Sequence, residues 1–320
     1  MRPPTFLLAL LLAIPAAISA EEPSEIRARA LATLAKLPVE AHFDQDYAGS
    51  GNPKQMLDLF LPKEPKADGK LPVLVFIHGG GWTGGDRAKS AGAVVPFVAS
   101  GNFAGITVSY RLSPEAHWPA QIHDCKAAIR WIRGHAEEFG LDPERIAVWG
   151  TSAGGHLVSL LGTTQGIAEL EGEIGPFLAQ SSQVTCVINQ CGPQDFSKAL
   201  MFSDGKPVVE DPAVVALIGG SVAGHPDLIK AVSPVTYVTP HDAPFLTLHG
   251  MKDQRVDFVQ ATIIETALEA AGVSSILIGV AEGGHGLNHP ALKDRITTFL
   301  DRHLRGGSED LKDETLAEAP

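Results

Sequence analysis

The stretch Ile146-Ala-Val-Trp-Gly-Thr-Ser-Ala-Gly-Gly-His-Leu-Val-Ser-Leu-Leu161 decides the fold. Its first four residues form an apolar run that predicts a buried strand, and residues 153–161 have the pattern of a helix. Between them lies Gly150-Thr-Ser-Ala-Gly154, a G-x-S-x-G sequence. A serine between glycines at a tight strand-to-helix turn is typical of a nucleophile exposed above a parallel sheet. The stretch therefore predicts an α/β fold with Ser152 as the candidate nucleophile.

Strand patterns and helix patterns alternate along the rest of the chain. Residues 56–61 alternate like a strand, and helical patterns at 122–139 and 259–271 end at glycines. Continuous apolar runs, which are typical of strands buried on both faces, lie at 73–77, 104–108, 184–188, 245–248 and 276–280. This alternation predicts a mainly parallel, twisted sheet with helices on both faces. Ligands of such sheets bind at the carboxyl ends of the strands.

The composition is that of a globular chain with an acidic surface. Of the 320 residues, 44% are hydrophobic, which is enough for a sizeable core, and the formal net charge is −12. We expect one large catalytic domain over 41–305. Because nucleic acids and anionic membranes attract basic surfaces, the negative charge argues against both as partners.

The two ends of the chain predict segments outside this domain. Arg2 and the short apolar run 6–14, followed by small residues, are typical of a secretory signal peptide over 1–20. A membrane anchor or a buried helix is the alternative, but the run is short for a membrane span. We therefore expect a secreted or periplasmic protein without stable membrane insertion. Residues 21–40 predict an N-terminal helix, and the acidic segment 306–320 predicts a disordered tail.

The chain has three cysteines, Cys125, Cys186 and Cys191. An odd, low number does not indicate a disulfide framework. Cys186 and Cys191 lie in a predicted strand, where five extended residues separate them by roughly 16 Å, too far for a disulfide unless the chain turns between them. We expect buried free thiols.

A base and a carboxylate for Ser152 can be selected by their positions after strands. In this fold class the chain order is serine, acid, histidine. His285 lies in Gly283-Gly-His-Gly286 after the last predicted strand, and His289 is its rival. Asp253 follows the strand that ends at Leu248, and Asp257 is the alternative, although it could instead cap a helix.

A glycine-rich loop predicts the donors for an oxyanion. His78-Gly-Gly-Gly-Trp82 follows the strand 73–77. Glycines let backbone amides approach a substrate oxygen closely, and the amide after the nucleophile, that of Ala153, is expected to complete the hole. Such loops also cradle phosphates, but the glycine spacings typical of nucleotide loops are absent from it.

Together these motifs resemble the α/β-hydrolase-fold serine esterases of the hormone-sensitive-lipase and feruloyl- and acetyl-xylan-esterase-like group. The resembling segments, which cover about 45–303, are 78–82, 85–86, 109–112, 124–133, 142–148, 150–156, 233–234, 249–253 and 284–286. The resemblance implies the α/β-hydrolase fold with an insertion after the sixth strand, at 192–234, which would form a lid or substrate-binding wall.

The resemblance also implies roles for individual residues. Ser152, Asp253 and His285 are implied as the catalytic triad, and Gly79, Gly80 and Gly81 with Ala153 as the oxyanion hole. Trp82 is expected either to line the substrate pocket or to pack in the core. A pairing of Asp86 and Arg87 with Tyr110 and Arg111 is expected to brace the glycine loop.

The implied reaction is hydrolysis of a carboxylic ester through an acyl-enzyme, without a metal or an organic cofactor. The expected substrates are short-acyl or aryl esters, such as acetyl or feruloyl esters of carbohydrates. Two alternatives stay open at this point. One is an arylformamidase- or peptidase-like enzyme that uses the same triad on an amide, and the other is a non-catalytic hydrolase-fold binding protein.

Overall fold

The computed structural model describes residues 34–66, 69–113, 115–198, 200, 202–203 and 206–317. In the described residues, the strands are β1 (Val39–Asp46), β2 (Met56–Pro62), β3 (Leu71–Ile77), β4 (Ala104–Val108), β5 (Leu141–Thr151), β6 (Cys186–Gln190), β7 (Phe202–Ser203), β8 (Lys206–Pro207), β9 (Phe245–Gly250), β10 (Ser275–Val280) and β11 (Glu314–Leu316). The α-helices are α1 (Ala91–Val98), α2 (Ala120–Gly134), α3 (Ala153–Thr163), α4 (Ala168–Glu171), α5 (Pro212–Ile218), α6 (Pro226–Val232), α7 (Val259–Ala271) and α8 (Ala291–Arg305).

The main sheet has the order β1-β2-β4-β3-β5-β6-β9-β10-β11. The pairs β1/β2 and β2/β4 are antiparallel, whereas every pair from β4 to β11 is parallel. Strands β7 and β8 form a separate antiparallel hairpin. The predicted fold class, a mainly parallel α/β-hydrolase sheet, is therefore confirmed. Its parallel strands end at one common edge.

Helices pack on both faces of this sheet, so the central strands are buried on both sides. All seven residues of β3 are buried. Val75 and Ile77 belong to one hydrophobic cluster, which includes residues of α2, α3 and α7. Leu74 and Phe76 belong to a second cluster, with residues of α1 and α8. Side chains of a strand alternate between faces, so one continuous apolar run supplies two cores.

Some predicted boundaries differ from the structure. The strand predicted at 184–188 is β6, two residues further on, and β5 begins at Leu141 instead of 146. The helix predicted at 122–139 ends at Gly134. A side chain at Gly134 would have its Cβ 2.3 Å from the ring of Phe177, so this end of α2 packs closely against another segment. Tertiary packing of this kind overrides the local helical pattern.

The N-terminal predictions fall mostly outside the described residues. The predicted signal peptide, 1–20, lies wholly outside them, as does 21–33 of the helix predicted over 21–40. The helix prediction is wrong at its end, because residues 39–40 belong to β1, which pairs with β2. Within the described ranges, no helix is both long and apolar enough to cross a membrane.

The segment 192–234 lies between β6 and β9 and contains the β7–β8 hairpin, α5 and α6. It contacts the carboxyl edge of the sheet at several points. A Cβ placed on Gly81 would lie 3.3 Å from the Cβ of Ala213 in α5. Leu200 accepts a 2.7 Å hydrogen bond from the amide of Asp257, which follows β9. The segment therefore forms one wall above the strand ends.

The prediction of a disordered tail over 306–320 is wrong for residues 314–316. These residues form β11, which pairs in parallel with β10. Leu316 is 9% exposed and belongs to the second hydrophobic cluster, and the carboxylate of Glu314 pairs with Arg295. The acidic composition gave no sign of the buried Leu316, of the ion pairs that Glu314 and Asp310 form with Arg295 and Arg302, or of the pairing with β10. Residues 318–320 lie outside the described part.

Docking of the tail predicts a stability effect. Replacing Leu316 with Ala removes a buried side chain at an edge strand and is expected to lower the free energy of unfolding by about 2 kcal/mol. Thr315→Ala is the matched control, because Thr315 is exposed on the same strand and its change is expected to stay within about 0.5 kcal/mol. Denaturant unfolding measures both. Equal, negligible effects would mean that the tail does not dock.

Candidate active site

The turn between β5 and α3 holds Ser152 in a strained conformation. Its φ is +58° and its ψ is −120°, values that residues with a side chain rarely adopt. Its amide donates a 2.8 Å hydrogen bond to the carbonyl of Gln190 at the end of β6. Because the strain is held by neighbouring structure, the side chain stands above the carboxyl edge of the sheet, as predicted for a nucleophile elbow.

The glycines that flank this turn are required by close backbone approaches. A Cβ on Gly150 would lie 2.2 Å from the carbonyl oxygen of Gly154. A Cβ on Gly154 would lie 2.0 Å from the carbonyl oxygen of Ile77 in β3. Any larger residue would push the start of α3 away from the strands. The G-x-S-x-G pattern is thus a packing requirement that fixes where Ser152 stands.

A chain of hydrogen bonds joins three side chains that come from three strand ends. The Nδ1 of His285 lies 2.7 Å from Oδ2 of Asp253, and its Nε2 lies 2.9 Å from Oγ of Ser152. An ionised carboxylate only accepts hydrogen bonds, so Nδ1 carries the proton and Nε2 accepts from the serine hydroxyl. This tautomer is the one in which His285 can remove the hydroxyl proton.

The carboxylate of Asp253 is held on every side. Its Oδ1 accepts the amides of Arg255 and Val256 at 2.8 and 2.9 Å. Its Oδ2 faces His285 and also lies 3.4 Å from Nε2 of the fully buried His249, whose closer partner is the carbonyl of Val256 at 2.9 Å. Burial raises the pKa of Asp253, but the contacts with His249 and His285 and the amide of Val256 outweigh burial and hold the pKa well below its ordinary value. Asp253 therefore stays ionised at neutral pH.

The two rival residues have other partners. His289 contacts the tail, with its Nε2 3.1 Å from the carbonyl oxygen of Ala317. The Oδ1 of Asp257 accepts the amide of Val259 at 2.8 Å and so caps the start of α7. The structure brings Ser152, His285 and Asp253 together and leaves both alternatives outside the cluster.

The glycine loop packs directly against the serine turn. A Cβ on Gly79 would lie 3.2 Å from the Cβ of Ser152. Gly80 has a φ of +118°, and its carbonyl accepts the amides of Thr83 and Gly84 at 3.1 and 3.0 Å. Glycine adopts this φ without strain. The loop is thereby closed into a tight turn beside the nucleophile.

Backbone amides at this place are available to a substrate oxygen. In the described part of the chain, the amides of Gly80 and Gly81 donate to no backbone carbonyl. Ala153 is the first residue of α3, and the first amides of a helix have no partner within it. The arrangement agrees with the predicted oxyanion hole of Gly79, Gly80, Gly81 and Ala153, whose role stays a prediction.

Trp82 lies in the core, where it connects the glycine loop to the segment 192–234. Its side chain is 2% exposed, and its Nε1 donates to Nδ1 of His156 at 3.2 Å. The other ring nitrogen of His156 donates to the carbonyl of Val232 in α6 at 2.7 Å. Burial lowers the pKa of His156 to about 4, so the ring stays neutral and can accept from Trp82. Little of Trp82 is left to contact a substrate.

The expected pairing of Asp86 and Arg87 with Tyr110 and Arg111 is wrong. Arg87 pairs with Asp58 at 3.0 Å and also with Asp44, while Arg111 binds Asp124 through Nε and Nη2. Each arginine pairs with a buried carboxylate, Arg87 with Asp58 and Arg111 with Asp124, because a buried carboxylate needs a partner with several donors.

The glycine loop is nevertheless braced from this side by Tyr110. The hydroxyl of Tyr110 donates to the carbonyl of His78 at 3.1 Å, and the two rings stack with centroids 4.5 Å apart. Burial lowers the pKa of His78 to about 4, so this ring is neutral. The brace therefore relies on one hydroxyl and one stacked pair instead of ion pairs.

The prediction of buried free thiols is confirmed. Cys125, Cys186 and Cys191 are all unpaired and buried. Burial raises the pKa of Cys191 to about 12 and that of Cys186 further. Thiols with such pKa values are poor nucleophiles at neutral pH. Ser152, not a cysteine, is the nucleophile that the site offers.

Sequence patterns missed two contributors to this site. His249 precedes Asp253 by four residues, and His156 is the last residue of the segment 150–156; the sequence assigned a role to neither. The hydrogen bonds of His156 join segments far apart in the chain, whereas the contacts of His249 lie within the loop that carries Asp253. The closeness of each to a motif residue was the available signal, but burial and bond partners could not be read from it.

The geometry predicts how the serine reacts with a fluorophosphonate. Labelling is expected at Ser152 and is expected to be lost in Ser152→Ala. His249→Ala is expected to slow labelling by up to about tenfold, because its Nε2 holds the carbonyl of Val256, whose amide binds Asp253, and one such hydrogen bond contributes about 0.5–1.5 kcal/mol. His241→Ala is the matched control, since His241 is exposed on a loop. Labelling rates are measured by intact mass and the site by peptide mapping. Equal rates for both histidine variants would exclude His249 from positioning Asp253.

Comparison with known proteins agrees with this architecture. Esterase LipC of Mycobacterium tuberculosis is 31% identical over 238 residues, which is 74% of this chain. The chain spans only about half the length of the curated relatives it matches, namely 58% of LipC and 55% of esterase LipQ from the same organism.

Two solved structures are also similar. A truncated carbohydrate esterase from gut microbiota has a TM-score of 0.75 and 31% identity, covering 82% of this chain and 96% of its own. A bifunctional GH43-CE protein of Bacteroides eggerthii has a TM-score of 0.75 and 33% identity, covering 82% of this chain and 35% of its own. The BD-FAE family model matches residues 57–268, a range that includes Ser152, Asp253 and the glycine loop. The chain therefore belongs to the BD-FAE family and has the α/β-hydrolase fold.

Proposed function

We propose that this protein is a serine carboxylesterase that works through an acyl-enzyme. The observation that carries the proposal is the hydrogen-bonded chain from Ser152 through His285 to Asp253, with distances of 2.9 and 2.7 Å. Each donor and acceptor in that chain is already arranged for proton removal from the serine. The esterase relatives of the chain agree with this chemistry.

Acylation follows from the geometry. His285 Nε2 takes the proton of the Ser152 hydroxyl as Oγ attacks the carbonyl carbon of the ester. The oxyanion that forms accepts hydrogen bonds from the amides of the glycine loop and Ala153, each contributing about 3 kcal/mol. Asp253 stabilises the imidazolium. His285 then returns the proton to the alcohol oxygen as the carbon–oxygen bond to the alcohol breaks.

Deacylation reverses these roles with water. After the alcohol has left, a water molecule takes its position. His285 removes a proton from this water while the water oxygen attacks the acyl carbon. Collapse of the second tetrahedral intermediate breaks the bond to Ser152 Oγ, which recovers its proton from His285. The products are a carboxylic acid and the free enzyme.

The substrates that we propose are short-acyl or aryl esters of carbohydrates, such as acetyl or feruloyl esters. The similarity to a carbohydrate esterase and to a GH43-CE protein supports the carbohydrate part. The acidic chain, with a net charge of −12, has no general attraction for nucleic acids. We further propose that 1–20 is a cleaved signal peptide and that the mature enzyme is secreted or periplasmic.

The central test is removal of the nucleophile. Ser152→Ala is expected to lower kcat for p-nitrophenyl acetate by at least about 10⁴-fold, as in other serine hydrolases. Ser308→Ala, an exposed serine in the tail, is the matched control and is expected to keep the wild-type rate. A Ser152→Ala variant that retains most of its activity would contradict the assignment.

The class of substrate is tested with the wild-type protein on acetylated xylan, methyl ferulate and N-formylkynurenine. Turnover of at least one of the first two is expected. Turnover of N-formylkynurenine alone would contradict the esterase proposal and indicate an arylformamidase-like enzyme.

If residues 1–20 are a signal peptide, expression of the full chain in a bacterium with a periplasm yields a processed protein with a defined N-terminus. The protein recovered from the periplasm is expected to begin at Ala20 or Glu21, as measured by intact mass. A variant with Leu8 and Leu11 replaced by Arg is expected to stay in the cytoplasm, because signal recognition needs the apolar run. Full-length wild-type protein in the cytoplasm would contradict export.

A further inference from the structure

Three carboxylates meet where the C-terminal tail lies against helix α7. Glu265 and Glu269 are one helical turn apart on α7, and Asp313 directly precedes β11. One carboxylate oxygen of each residue lies within 4.8 Å of one oxygen of each of the other two. Residues four apart on a helix share a face and repel each other when they carry the same charge. The tail therefore adds a third negative charge to a place that already holds two.

No positive side chain balances these charges in the part of the chain that the structure describes. None of the three carboxylates forms an ion pair there with a lysine or an arginine, whereas the next acid of the tail, Glu314, pairs with Arg295. Burial and the charges of Asp313 and Glu269 raise the pKa of Glu265 to about 7. The cluster thus lacks a positive charge that would stabilise the ionised form of Glu265.

One oxygen of the cluster is buried without a partner. Glu265 is 6% exposed, and within the described ranges its Oε2 has no hydrogen-bond partner. Its Oε1 accepts the hydroxyl of Ser275 in β10, so the carboxylate is held in place, facing Glu269 and Asp313. Buried carboxylate oxygens are normally paired or bound to a metal. The unpartnered Oε2 therefore points to a positively charged ligand at this place.

Two of the three carboxylates are already positioned for such a ligand. Ser275 holds Glu265, and Oδ1 of Asp313 accepts the amide of Leu277 in β10 at 2.9 Å. Glu269 is exposed, so its side chain is able to adjust. Oxygens with this spacing can surround one Ca²⁺ ion, whose ligand oxygens lie at about 2.3–2.6 Å.

The type of ligand atom selects the ion. Three carboxylates offer only oxygen, which suits the hard cations Ca²⁺ and Mg²⁺, whereas Zn²⁺ sites are mostly built from nitrogen and sulfur ligands. Mg²⁺ requires a nearly ideal octahedron, but Ca²⁺ accepts irregular geometry and completes its shell with water. A cluster drawn from a helix and from a separate tail segment favours Ca²⁺.

We propose that Glu265, Glu269 and Asp313 bind a Ca²⁺ ion that ties the C-terminal tail to helix α7. The ion balances the three negative charges and gives Oε2 of Glu265 a partner. It attaches the tail just before β11, while Leu316 attaches it at the last residue of that strand. The inference is independent of the proposed esterase reaction.

Calcium binding is measured on the purified protein after treatment with a chelator and dialysis. Isothermal titration with CaCl2 is expected to show one site with a Kd of about 0.1–1 mM, the range of extracellular calcium modules. Because the ion binds the folded state, Tm is expected to rise by about 2–4 °C at about 10 mM CaCl2. The same concentration of MgCl2 is expected to give a smaller rise, and NaCl at equal ionic strength none.

Three conservative variants locate the ion. Glu265→Gln, Glu269→Gln and Asp313→Asn are each expected to lose most of the calcium-dependent rise in Tm, because each removes a charged ligand. Glu173→Gln, at an exposed glutamate outside the cluster, is the matched control and is expected to keep the full rise. In chelator, Glu269→Gln and Asp313→Asn are expected to melt at or above the wild-type temperature, since they relieve repulsion.

Each outcome decides for or against the site. A wild-type protein that gives no saturable heat, or no calcium-dependent rise in Tm, overturns the proposal. A rise of equal size in the wild type and all three variants places the ion elsewhere and overturns it as well. A rise in MgCl2 as large as that in CaCl2 overturns the choice of Ca²⁺.

Discussion

The close approach of α3 to strands β3 and β5 is the constraint on which the rest of the site depends. At Gly154 the backbone is so near the carbonyl of Ile77 that a Cβ would lie only 2.0 Å away. This packing holds Ser152 at a positive φ and places the start of a helix beneath its hydroxyl. Strain of this kind persists only where surrounding structure enforces it. The two hydrophobic clusters on either face of the sheet supply that enforcement.

The other groups of the site lie at the same edge because the strands that precede them are parallel. Asp253 follows β9, His285 follows β10, and the glycine loop follows β3. These placements could be predicted from the sequence, because apolar runs mark buried strands and motifs directly follow them. The same reasoning selected His285 over His289 and Asp253 over Asp257, and the hydrogen bonds agree with both choices.

The contacts that could not be predicted join segments distant in sequence. The segment 192–234 contacts the core through Trp82, His156 and the carbonyl of Val232. It contacts the loop after β9, which carries Asp253, through Asp211 and Arg255. Composition suggested a disordered tail, yet Leu316 docks against the sheet. Periodicity reports which face of an element is apolar, whereas these partners depend on tertiary geometry, which local patterns do not encode.

The proposed reaction requires Ser152 to form a covalent bond with the acyl group of the substrate. The most direct measurement is peptide mapping by mass spectrometry of the enzyme quenched in acid during turnover of p-nitrophenyl acetate. We expect an acetyl group on Oγ of Ser152, which accumulates within the first turnover when deacylation is the slower step. An acetyl group on another residue that is formed and lost at the rate of turnover, with Ser152 unmodified throughout, would contradict it.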